Sequence, residues 1–160
     1  MRVLFVNRSS FLSFKGGDTT QLLMTAQELR KLGVEVSIYQ SGDSIDDTKF
    51  DLIHFFNITR PATILAILQK TKLPFVVSTI YADYSFYKVI QPWNKMGMLI
   101  RLFGSDGVEY FKSVAKHLLN KERLDYRPFF WKGQRTCIQT ILKKASYLLP
   151  NSESEYQRLK

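Results

Sequence analysis

The sequence predicts an α/β domain, a Rossmann-like parallel sheet with helices on both faces, and three observations lead there. Short apolar runs suited to buried strands alternate with longer stretches whose apolar residues recur at helical spacing. A glycine loop joins the first such strand to the first helix. Glycine or polar residues, at Gly16-Gly17, Asn57, Thr79 to Tyr84 and Asn151-Ser152, lie just past strand ends. Strand–helix alternation at these lengths implies right-handed crossovers and parallel pairing. In such sheets ligands bind beyond the carboxyl ends of the strands, where strand order reverses. The four polar segments are therefore expected on one rim.

The elements follow in order. Val3-Leu4-Phe5-Val6 is the first strand, and a polar loop from Asn7 to Lys15 leads to Gly16-Gly17. Asp18, with Gln21 three residues later, is a capping-box-like helix start. Leu22, Leu23, Ala26, Leu29 and Leu32 supply the helix's apolar positions, and Gly33 stops it. Val34, Val36 and Ile38 alternate with Glu35 and Ser37 as a second strand. Asp51 to Phe56 reads as a buried third strand. Thr59-Arg60-Pro61 opens a helix with proline at an early position, where its missing N–H costs nothing. Ile64, Leu65, Ile67 and Leu68 are its apolar face. Leu73-Pro74 precedes a fourth strand, Phe75 to Thr79, and Tyr147-Leu148-Leu149 is a fifth. Asn151-Ser152 caps a last helix, with Glu155 completing Ser-x-x-Glu.

At 160 residues and 45% hydrophobic content the chain suits one domain, 1–160, able to bury its own core. The single Cys137 excludes an internal disulfide and fits a reducing cytoplasm; its neighbours Ile138, Ile141 and Leu142 mark it as a packing residue. No stretch approaches the ~18–20 apolar residues of a spanning helix. The formal charge of +9 is concentrated. Residues 1–85 carry nine Lys/Arg against eight Asp/Glu, residues 86–144 twelve against four, and the last sixteen two against two. The segment from 86 to 144 reads as a helical insertion, with helices at about 94–103, 107–121 and 133–144. Trp93, Lys95, Arg101, Arg127, Trp131 and Lys132 belong to its dense mixture of aromatic and basic residues. Such a mixture suits an anionic membrane interface or single strands of nucleic acid. It equally suits a helical layer whose aromatics are core and whose lysines are solvated.

A buried strand, a glycine turn and a helix N-terminus point backbone N–H groups at one spot, where a phosphate can be held. Gly16, Gly17, Asp18 and Thr19 are the candidates for it. A turn needing positive φ and close helix–strand approach is the alternative reason for two glycines. Neither G-x-G-x-x-G nor G-x-x-x-x-G-K-[ST] occurs, so this is not the dinucleotide fingerprint or the P-loop. His54 and His117 stand alone, and no metal-ligand spacing exists. His54, on a strand, is expected inside with a backbone partner, and Asp43, Asp46 and Asp47 as solvated turn residues. Tyr81 and Asp83 follow the fourth strand at the expected rim. Asp83 is placed to accept a hydrogen bond from a hydroxyl-rich ligand or to act as a base, or else to cap the next turn. Asn57, Ser78, Thr79, Asn151 and Ser152 complete the rim.

Four blocks of this sequence carry a resemblance: K-G-G-D-T-T-Q-L-L-M-T-A-Q-E-L-R-K-L-G-V-E-V at 15–36, D-L-I-H-F-F-N at 51–57, P-F-V-V-S-T-I-Y-A-D-Y at 74–84 and L-L-P-N-S-E-S-E-Y-Q-R-L at 148–159. In order and spacing they resemble the N-terminal, acceptor-side domain of family 4 glycosyltransferases, which have the GT-B fold. The resemblance implies retaining transfer of a sugar from a nucleotide-sugar co-substrate, without a metal or other cofactor, to a lipid-linked or surface-polysaccharide acceptor. It implies that Gly16 and Gly17 approach the donor diphosphate and the acceptor. Where the family's turn after the fourth strand often presents a histidine, this chain has Ser78 to Asp83, which leaves Asp83 and Tyr81 to face the acceptor. The 86–144 segment falls where such enzymes meet acceptors and membranes, an expectation of a cytoplasmic protein peripheral to the inner face of a membrane. The family's nucleotide-sugar is held mainly by a second, C-terminal domain; without it, the 160 residues are expected to be inactive. The other reading is a free-standing α/β module that binds an anion or a membrane surface and catalyses nothing. A nucleic-acid binder ranks below both.

Overall fold

The computed structural model describes residues 1–7, 16–39, 43–80, 107, 110, 111, 114 and 126–159. Five strands, β1 (Arg2–Val6), β2 (Glu35–Ile38), β3 (Leu52–Phe56), β4 (Phe75–Ser78) and β5 (Tyr147–Leu149), pair in parallel in the order β2-β1-β3-β4-β5. The chain steps from β1 outward to β2, then crosses to the other side at β3, so the order reverses between β1 and β3. The helices whose bounds fall within the described residues are α1 (Gly17–Lys31), α2 (Pro61–Leu68), α3 (Phe129–Lys144) and α4 (Glu153–Leu159).

Alternation along the central strands sends side chains to two faces. Leu4, Val6, Ile53, Phe55, Phe75 and Val77 meet α2 and α3 in the larger core. Val3, Phe5, Phe56 and Val36 meet Leu22 and Ala26 of α1 in the smaller one. Helices thus cover both faces, as the apolar runs predict. Phe5, Phe55 and Phe129 are fully buried, each contributing on the order of 1.5–3 kcal/mol of transfer free energy. Cys137 lies in the larger core, wholly buried, and burial raises its thiol pKa. That is the packing role expected of it.

Several boundaries shift for local reasons. Helix α1 starts at Gly17 with Gly16 as its N-cap, not at Asp18. The capping partner three residues on is Thr19, whose hydroxyl accepts the Gly16 N–H at 3.5 Å, while Gln21 is engaged elsewhere. At the other end Gly33 takes φ +78, with Gly33 N–H on the Arg30 carbonyl and Val34 N–H on the Leu29 carbonyl. This is the two-bond Schellman closure. Proline begins α2 as expected, at Pro61. Helix α3 starts at Phe129, four residues before the expected 133, and is broken at Gly133 (φ 72, ψ 174). That conformation ends the first turn and starts a second helix in a new direction. Of the expected helix at 107–121, the described positions 107, 110, 111 and 114 are helical; the expected helix at 94–103 lies outside the described residues.

Candidate functional site

The point where strand order reverses lies between the carboxyl ends of β1 and β3. A small cleft opens there, lined among others by Asn7, Phe56, Arg60, Thr63 and Ile64. Its polar wall is built by the turn after β3. Asn57 takes a left-handed φ of 74, which asparagine tolerates better than most residues. Its side-chain oxygen accepts the Thr59 N–H at 3.0 Å and the Thr59 hydroxyl. Its own N–H reaches the Ser78 carbonyl, and the Ile58 N–H reaches that of Thr79, both at 2.9 Å. The turn is held from α3, on the same face of the sheet as α2, by Gln134, whose amide donates to the Thr59 carbonyl at 2.8 Å. Arg60, the N-cap of α2, is thereby fixed at the mouth of the cleft. The sequence reading passed over Arg60, Asn7 and Thr63. A cation four residues past a strand end, next to a helix-starting proline, was the available signal.

The rim segments converge. Gln21 of α1 and Asn151, before α4, exchange side-chain hydrogen bonds of 2.8 and 3.3 Å across 130 residues. This pair brings the glycine loop and the fifth-strand turn together, as expected. Thr79, wholly buried, donates its hydroxyl to Glu155, whose other oxygen accepts the Asn151 N–H at 2.7 Å. Ser152 accepts the Glu155 N–H at 3.2 Å, the first half of the expected capping box; the carboxylate reaches back to Asn151 rather than to Ser152. Ser78 and Thr79 are buried, so their hydroxyls fasten the interior rather than line an open rim. The next residue, Ile80, has φ 45. A β-branched side chain there is costly, on the order of 1–3 kcal/mol, and such strain concentrates at functional turns.

At the start of α1, Gly16 is extended (φ −133, ψ −179) and Gly17 is helical. Neither needs positive φ, and a Cβ on Gly17 would meet nothing within 4 Å. The positive-φ reason is therefore removed for both glycines, and the close-packing reason for Gly17. Asp18 and Thr19 are buried; the Asp18 carboxylate accepts the Thr19 N–H at 2.8 Å and so places negative charge on the helix's positive end. Gly17, beside them, is exposed.

His54 is 6% exposed, with its ring stacked on Phe56 (centroids 4.2 Å) and edge-on to Phe5 (5.0 Å). It is an interior histidine, as expected, but its partner is a side chain: Nε2 lies 2.9 Å from the Ser78 hydroxyl. Desolvation lowers its pKa from 6.5 to about 4, so it is neutral near pH 7. Both members of the pair are buried. Of the aspartates, Asp46 is the turn residue expected and Asp47 differs. Asp46 closes its own turn on Thr48, and Asp47 spans 24 residues to the Thr71 hydroxyl and 25 to the Lys72 N–H. Both carboxyls, like that of Asp51 on Arg2, are held below the usual range by the hydrogen bonds they accept. Tyr81, Asp83, Trp93, Lys95 and Arg101 lie outside the described residues; Arg127, Trp131 and Lys132 are exposed at the start of α3. Among the described residues no cluster of His, Cys, Asp or Glu could hold a metal, and no helix is long and apolar enough to cross a membrane. The chain matches no protein-family model, no curated protein and no solved structure.

Proposed function

We propose that this chain is the acceptor-side domain of a retaining, GT-B-type glycosyltransferase that moves a sugar from a nucleotide-sugar to a lipid-linked or surface-polysaccharide acceptor. The observation that carries the reading is the joining of the α1 terminus and the Asn151 turn by the Gln21–Asn151 pair at the carboxyl rim of a parallel sheet. Such a rim is where this sheet type holds ligands. Three further features support it. Gly17 is open where neither φ nor packing asks for glycine. Arg60 stands at the cleft beside the reversal of strand order. Ile80 is strained at the entrance to Tyr81 and Asp83, the residues assigned to the acceptor. Gly16 and Gly17 face the donor diphosphate, and a second domain holds the rest of the nucleotide-sugar.

Reading the gene past the codon for Lys160 tests the reading. A continuation of about 200 residues, a second domain's worth, with strand–helix alternation and a glutamate pair, is the expected result. A stop codon there, with no separately encoded donor domain, overturns it in favour of a non-catalytic α/β binding module. Sugar transfer by the 160 residues alone overturns the division of labour between domains.

A further inference from the structure

The cleft at the strand-order reversal has charge of one sign. Arg60 stands at its mouth, Asn7 (5% exposed) and Thr63 add an amide and a hydroxyl, and Phe56 and Ile64 give apolar walls. None of the residues that line it is acidic. A concave surface of one sign between apolar walls focuses its field on whatever enters. Arg60 also breaks a local rule. A helix start favours an acid or a short polar cap, since its first N–H groups carry partial positive charge. Helix α2 has neither a side-chain cap nor an acid in its first turn, and its N-cap is this cation.

The backbone of Arg60 is fixed in place. Its N–H donates to the Asn57 carbonyl at 3.3 Å, and its carbonyl accepts the Ile64 N–H at 3.4 Å. Gln134 fastens the preceding residue, Thr59, at a cost. Its side chain is 3% exposed, and Oε1 has no hydrogen-bond partner among the described residues. An unmatched buried acceptor is unfavourable and calls for a reason; here the same amide holds the turn that presents Arg60.

We infer that this cleft binds a single anionic group, a phosphate or a carboxylate, with Arg60 as the main contact and the Thr63 hydroxyl and Asn7 amide beside it. The planar guanidinium matches two oxygens of either group. The cleft is small and takes the acid group alone, with the remainder of the ligand outside. Neither Gly16 nor Gly17 lines it, so it is separate from the glycine loop. The ligand's identity rests on the transferase reading: the acceptor carries an acid group beside its reacting sugar. That group is the phosphate of a lipid-linked sugar or the carboxylate of an acidic sugar.

Amide NMR titrations of the full chain with inorganic phosphate, glucuronate and glucose test the inference. One or both anions, and not glucose, should shift the Ala62 and Thr63 amides. Arg60→Gln should weaken that binding by about tenfold or more, the weight of a hydrogen bond to a charged group. Arg60→Lys keeps the charge without the fork and should restore part of the loss. Thr63→Val should weaken binding by about threefold, as for a neutral hydrogen bond. Lys31→Gln, at an exposed position on α1, should change nothing. Unchanged urea midpoints verify that the variants fold. Tighter binding of phosphate assigns the lipid-linked source, and tighter binding of glucuronate the acidic sugar. Absence of shifts, an equal response to glucose, shifts confined to positions 16 and 17, or an equal loss in Lys31→Gln overturns the inference. The two readings fail separately. Anion binding at Arg60 in a chain whose gene stops at Lys160 keeps the site and removes the transferase; a continuing gene with an unresponsive cleft does the reverse.

Discussion

Lowering the pH from about 7 to about 4.5 should destabilise this protein through one residue, His54. In the fold its imidazole is enclosed by Phe5, Phe56 and Ser78, and its pKa falls from 6.5 to about 4. Between those two values the unfolded chain binds a proton that the folded chain refuses. Stability therefore falls as pH falls, at about 1.4 kcal/mol per pH unit, and levels off below the folded pKa. The whole window is worth roughly 3 kcal/mol, a large part of the 5–15 kcal/mol typical of a domain. The carboxyls of Asp46, Asp47 and Asp51 act with the same sign but lower down: pKa values below 3.8 remove their contribution only as pH falls through and below that value. The assay is urea unfolding at steps of pH, comparing the wild type with His54→Phe/Ser78→Ala, which replaces the buried polar pair by apolar groups. The double variant leaves every other ionisable side chain unchanged, so their contributions cancel. The difference in unfolding free energy should change by roughly 2–3 kcal/mol across the window. A flat difference would show that His54 is solvated or charged in the fold and would refute the burial argument.

Gly33→Ala puts a Cβ at φ +78 in the Schellman closure and should cost about 1–2 kcal/mol by urea unfolding; no loss would mean that α1 ends differently. Glu155→Gln sets an amide N–H₂ against either the Thr79 hydroxyl or the Asn151 N–H. It should cost about 1–3 kcal/mol, because a buried donor is left unmatched. A neutral result would place the carboxylate outside that network. Gly17→Ala has open space and a helical backbone, so stability should hold or rise by up to about 0.5–1 kcal/mol. If Gly17 is open for a diphosphate, the same variant should weaken pyrophosphate binding, read from the amide NMR shifts of Gly16 and of the residue at position 17. Unchanged shifts in both proteins would remove the anion role of the loop.

Much of this was legible beforehand where the local pattern carries its own physics. Gly33 and Pro61 have conformational requirements that neighbouring sequence cannot override, and they mark helix ends where expected. Val3–Val6 and Phe75–Ser78 are apolar enough to be strands in any compact state. The N-cap of α1 lies two residues before the expected one: Asp18 and Gln21 match a cap signature, yet the fold uses Gly16 and Thr19 and sends Gln21 to Asn151. Likewise Asp47, exposed and loop-borne, read as a solvated turn residue although it ties two connections together. Helix α3 extends four residues before the expected start because a further turn, Phe129 to Lys132, joins the expected helix across the break at Gly133.

The division has a physical basis. Period, caps and charge runs are properties of neighbours in the chain, so the sequence by itself determined a strand–helix alternation, a parallel sheet and a basic aromatic segment. Which residues share the site depends on contacts spanning 24 to 130 residues: His54 with Ser78, Thr79 with Glu155, Gln134 with Thr59, Gln21 with Asn151. Such pairs leave no periodic trace, because each is one residue selected by the approach of two distant elements. Only the tertiary structure could decide that Ser78 and Thr79 are fasteners, that Arg60 stands at the cleft, and that Trp131 faces outward while Phe129 faces in.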